Sequence, residues 1–82
     1  MNYKEQIKFL EKMLENAYLG RLQAEISNRR LMALTISSRG KESELYNGKL
    51  GEERKKIEEF EGLIRTIKGL VNDIKEGTFK LE

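Results

Sequence analysis

The sequence predicts an all-α protein: two long antiparallel helices forming a helical hairpin, with the hairpin dimerising into a coiled-coil-like four-helix bundle. Three observations lead there. The chain contains no proline, and 37% of its residues are charged against a usual value of roughly 25%. Apolar residues recur at alternating steps of three and four, the spacing of one helical face. One glycine-rich stretch near the middle interrupts that pattern and supplies a turn.

The expected first helix spans about 2–38. Asn2 is a suitable N-cap, and Glu5 stands three residues on in the capping-box position. Tyr3, Ile7, Leu10, Leu14 and Ala17 follow at four-three spacing. Continuing the strict heptad would select Arg21, Ala24 and Asn28, a poor core. The apolar set moves instead to Tyr18, Leu22 and Ile26, then Ala33 and Ile36, as a stutter in a coiled coil would do. Gly20 sits within this change of phase, where it marks a bend or a close approach of another segment. Arg29, Arg30 and Arg39 gather toward the C-terminal end, which the helix dipole favours, and Gly40 suits the residue just past the helix.

Residues 39–50 are expected to form the connection, because Gly40, the Asn47-Gly48 pair and the following Gly51 are turn signals. Leu45 and Tyr46 are the apolar residues there, placed to fold back or to meet a partner. The second helix, about 51–76, carries Ile57, Phe60, Ile64, Ile67, Val71 and Ile74 in an unbroken three-four alternation. With Ile57 at position a, Leu63 and Leu70 fall at g and widen the stripe beyond a two-helix seam. Isoleucine at a and d favours bundles of more than two strands. Gly62 and Gly69 fall at f on the outer face, and Gly77 reads as the stop before a short tail, 77–82, containing Phe79. Residues 1–40 carry seven basic and four acidic side chains, and residues 41–82 nine and ten, a mild charge complementarity that suits antiparallel pairing.

With 82 residues the chain has room for a single domain, 1–82, and only a marginal core of its own. Self-association is the natural way to enlarge that core. The expected oligomer and core interface is Ile7, Leu10, Leu14, Leu22, Ile26, Ile57, Phe60, Leu63, Ile64, Ile67, Leu70, Val71 and Ile74. No stretch is apolar enough to span a membrane, and the first twenty residues carry charges throughout rather than a signal-peptide core. The expected location is the cytoplasm.

Little in the sequence supports catalysis. There is no His and no Cys, which removes the commonest general base, the usual zinc ligands and any thiol nucleophile. No glycine pattern matches a phosphate-binding loop. No catalytic, metal-binding or cofactor-binding residues are assigned and no cofactor is expected. The Glu58, Glu59 and Glu61 run lacks the Glu-x-x-His partner of a bundle di-metal site. Arg29-Arg30 and Arg54-Lys55-Lys56 could meet phosphates, so a nucleic-acid-associated helical protein is an alternative. Glu52, Glu53, Glu58 and Glu59 flank the second cluster, however, and no aromatic residues interleave with it.

Arg29-Arg30-Leu31-Met32-Ala33 followed by Ile36 resembles the end of the first helix of the all-helical chorismate mutases. The resemblance implies an electrostatic site in which Arg29 and Arg39 or Lys41 bind carboxylates of a dianion. The sequence departs from that family in having Lys12 where an Arg is expected, and in lacking a third helix.

The reading that accounts for most of the chain is a non-enzymatic protein-binding module: a small helical adaptor, regulator or inhibitor. Chains of this kind are common among phage and mobile-element accessory proteins that block a host protein. Its partners would be a second copy of itself and an unidentified protein. Candidate partner-binding residues are Tyr18, Arg29, Arg30, Leu45, Tyr46, Glu58, Glu59 and Glu61.

Overall fold

Asn2 starts the first helix as expected. Its Oδ1 accepts from the Glu5 backbone N–H at 2.9 Å, and its Nδ2 donates to Glu5 Oε1 at 3.2 Å. In the computed structural model, which describes residues 2–79, α1 runs unbroken over Tyr3–Ser37 and α2 over Lys41–Glu76. The two helices pack against each other along their length as a hairpin of 57 × 16 × 15 Å. Its radius of gyration is 18.0 Å, against about 12 Å for a compact domain of this length.

The connection is far shorter than 39–50. Ser38 leaves α1 in extended conformation, and Gly40, at φ 67°, caps the start of α2. Gly40 therefore opens the second helix rather than closing the first. A side chain at Gly40 would be strained by that backbone conformation. The Asn47-Gly48 and Gly51 signals lie inside α2, in open space. Glu42 and Glu44 occupy its first turn and complement the dipole, while Tyr46 and Leu50 carry the heptad two turns farther than expected. Seam contacts and a favourable N-terminus outweigh a cost of about 1 kcal/mol per helical glycine. At the other end, Gly77 adopts φ 79°, its N–H donates to the Ile74 carbonyl, and Thr78 N–H donates to the Asp73 carbonyl at 2.9 Å. This is a Schellman stop. Phe79 follows, 39% exposed; residues 80–82 of the expected tail lie outside the described residues.

No stutter occurs. Arg21 meets Glu61 at 3.1 Å, Gly20 faces Phe60, and Lys68 Nζ stands 5.4 Å from the Tyr18 ring. These contacts fix an antiparallel register that keeps one heptad phase along both helices. From α1 the inward positions are Ile7, Leu10, Leu14, Ala17, Arg21, Ala24, Asn28, Leu31 and Thr35; from α2 they are Tyr46, Leu50, Glu53, Ile57, Phe60, Ile64, Ile67, Val71 and Ile74, all buried or half-buried. α2 presents an unbroken stripe, and α1 follows it without changing phase because Ala17, Gly20 and Ala24 leave room for the Phe60 ring. A Cβ on Gly20 would overlap that ring. Gly20 is thus a close approach and not a bend.

The core lies in the open-ended half. Leu10, Ala17, Ile64, Ile67 and Ile74 are buried together, with Ile7, Leu14, Leu70 and Val71 packed against them. Each Leu or Ile buried here contributes about 1.5–3 kcal/mol. Leu22 and Ile26, expected in the core or an oligomer contact, take no part in the seam between the helices: they are 56% and 67% exposed.

Candidate protein-binding surface

α1 carries more apolar side chains than one seam can use. Up to Ala17, Ile7, Leu10, Leu14 and Ala17 face α2, while Tyr3, Phe9 and Met13 are exposed. Beyond Ala17, the heptad brings Arg21, Ala24 and Asn28 inward, so Leu19, Leu22 and Ile26 point away from α2, at 52%, 56% and 67% exposure. Three apolar residues at three-four spacing on the free side of a helix make a second stripe. Tyr18, 40% exposed, borders it, with its ring held by Lys68 in a contact worth roughly 0.5–1 kcal/mol. Along this side, Glu11, Leu14, Glu15, Tyr18, Leu19 and Leu22 line an open, largely apolar groove of about 370 Å³.

Charges bracket the stripe. Glu11 and Glu15 lie on its N-terminal side, and Arg29 and Arg30 on its C-terminal side, both arginines exposed. Arg29 Nε donates to Glu25 Oε1 at 3.2 Å, yet its side chain remains 77% exposed, so a contact of this kind contributes little to folding.

The seam beside the stripe mixes polar groups with buried Ala24 and Leu50. Glu53, with a side chain only 16% exposed, accepts from Lys56 at 3.2 Å. Asn28 Oδ1 is buried and makes no hydrogen bond, while its Nδ2 reaches Met32 Sδ at 3.7 Å. A buried acceptor left unpaired costs about 1–3 kcal/mol. Thr35 hydrogen-bonds back to the Leu31 carbonyl at 2.8 Å. A groove of about 190 Å³ opens between Gly20, Ala24, Ser27, Glu53, Lys56 and Phe60.

The residues expected to meet a partner do not form one site. Tyr18, Arg29 and Arg30 flank the α1 stripe. Leu45, 58% exposed, lies on the outside of α2 near the connection, and Tyr46 turns into the seam, half-buried; neither stands on a loop. Glu58 and Glu59 are exposed, whereas Glu61 is held by Arg21 across the hairpin, so the acidic run is not a single face. Leu63 is 42% exposed at the edge and Leu70 half-buried, as their g positions predict. A second, smaller apolar area there joins Leu63 to Met13 and Phe60. Leu19 was not among the expected residues, although its three-four spacing to Leu22 and Ile26 is readable in the sequence.

Among the described residues no cluster of three metal-ligating side chains occurs, and no helix is long and apolar enough to cross a membrane. The chain matches no protein family model, no curated protein and no solved structure.

Proposed function

We propose that this chain is a non-enzymatic protein-binding module that works as a homodimer, two hairpins joining into a four-helix assembly in the cytoplasm, where it acts as a small adaptor, regulator or inhibitor. The observation that carries this reading is the second apolar stripe on α1: Leu19, Leu22 and Ile26 are each more than half exposed on a helix whose other face already packs on α2. Patches of this kind on small proteins mark interaction surfaces.

Surface area supports the same reading. The hairpin exposes 6581 Å², whereas a compact monomer of 9.6 kDa exposes about 5,100 Å². The excess of about 1,500 Å² is more than the ~800 Å² per partner that a stable interface takes. Arg30, Leu45, Glu58 and Glu59 would remain outside such an assembly and are the residues offered to another protein. A mutase-like site would need Arg29 and a basic residue of the connection to converge on a substrate; Arg29 lies instead on the outer side of α1, directed to solvent and to Glu25.

Size-exclusion chromatography with light scattering tests the proposal. The expected mass is twice that of the chain, without excess absorbance at 260 nm; three Tyr and no Trp make bound nucleic acid easy to see. A monomer at every concentration up to hundreds of micromolar would overturn self-association, and a 260 nm signal that elutes with the protein would favour the nucleic-acid alternative.

A further inference from the structure

We propose that the partner on the α1 stripe is a second copy of α1 lying antiparallel across it, so that the dimer is closed by Ile26 knobs and by Glu15–Arg29 pairs related by a two-fold axis near Leu22. The inference rests on the homodimer reading above and adds which face is used and how it recognises itself.

Shape is the first argument. Glu15, Tyr18, Leu19 and Leu22 stand at positions i, i+3, i+4 and i+7 and line the α1 groove. Four residues so spaced are the hole of knobs-into-holes packing. Ile26, 67% exposed, is a knob of matching chemistry one turn farther along the same side. A two-fold axis near Leu22 brings Ile26 of the partner subunit level with Tyr18 and Leu19, above this hole. The same axis places the first copy's Ile26 over the second copy's hole, as an isologous interface requires.

Charge is the second argument, and it is independent. Glu15, Leu22 and Arg29 are spaced by seven residues and fall on one row. The axis that seats the Ile26 knobs brings Glu15 level with Arg29 of the partner subunit, twice per dimer. A parallel arrangement would set Glu15 beside Glu15 and Arg29 beside Arg29, so the row selects the antiparallel one. The opposite edge of the hairpin, around Met13 and Leu63, offers no such match. Met13 and Leu63 are exposed at only 38% and 42%. Although Glu42, Lys49 and Lys56 share the row of Leu63, a two-fold axis at Leu63 would set Lys56 level with Leu70 and Lys49 level with Gly77, so no opposite charges meet.

The test is a charge-swap cycle read by analytical ultracentrifugation, with helicity followed by circular dichroism. Glu15→Arg and Arg29→Glu should each weaken dimerisation about 3–10-fold, and the double variant should return to within about 3-fold of wild type, as cross-interface pairs do in double-mutant cycles. Ile26→Ser should raise the dimer dissociation constant at least about 10-fold without loss of helicity, since Ile26 lies outside the seam. If wild type dimerises, Ile26→Ser leaves it unchanged and Leu63→Glu abolishes it, this geometry is overturned while the homodimer stands. If the double charge variant is weaker than both singles, the antiparallel pairing is overturned. A wild-type monomer overturns both readings.

Discussion

The two halves of the hairpin share one heptad register and differ in what occupies it. Toward the chain ends the inward positions hold Ile7, Leu10, Leu14 and Ala17 against Ile64, Ile67, Val71 and Ile74, an apolar seam with Gln6 buried beside it. Toward the connection the same positions mix Arg21, Asn28, Thr35 and Glu53 with Ala24, Leu31, Tyr46, Leu50 and Ile57. In that half α1 also carries Leu22, Ile26 and Ile36 on the outside. The lesson is that an apolar stripe and a packing face are separate properties of a helix. Where they coincide, the helix folds onto its own chain. Where they diverge, at Gly20, the surplus face is free for another molecule.

The largest expected effect lies in the apolar half. Ile67→Ala, at a position 4% exposed, should cost about 2–5 kcal/mol in urea unfolding. An unchanged midpoint would break the claim that this half holds the fold together. At the boundary between the halves, Gly20→Ala should be destabilising despite alanine's helix propensity. Relieving the overlap with Phe60 costs about 1–3 kcal/mol, against a propensity gain of about 1 kcal/mol. Phe60→Leu introduced with it should recover part of the loss, a non-additivity expected of touching residues.

In the mixed half the sign reverses. Asn28→Leu removes a buried acceptor without a hydrogen bond and should stabilise by roughly 1–2 kcal/mol, seen as a higher Tm; a lower Tm would show that the polar groups of the seam carry stability after all. The smallest effect is Gly69→Ala on the outer face of α2. Nothing lies within 4 Å of a Cβ there, so the change should add up to about 1 kcal/mol and leave association unaltered.

Much of this was legible in the residues. Asn2, Gly77 and the α2 alternation specify where the elements start, stop and face, because caps and periodicity act locally. The connection was not, because Asn47-Gly48 and Gly51 are turn signals that a helix tolerates when both ends of the segment are anchored, here by Gly40 and by Leu50 in the seam. The phase of α1 was not legible either. Leu22 and Ile26 look like core in a lone helix, and only the unbroken stripe of α2, with the Phe60 ring fitted over Gly20, decides that Arg21, Ala24 and Asn28 face inward. The surface stripe itself was half visible. Tyr18, Arg29 and Arg30 could be picked by type, whereas Leu19 acquires meaning once its side of the helix is known to be free.

The central claim is that the connection half, weak in its own seam, is completed by a second chain on α1. Amide hydrogen exchange over a concentration series tests it most directly. The account predicts that α1 amides between about residues 15 and 33 gain protection as concentration rises, while those around Ile64–Ile74 are strongly protected throughout. Equal protection in both halves, unchanged by concentration, would contradict it.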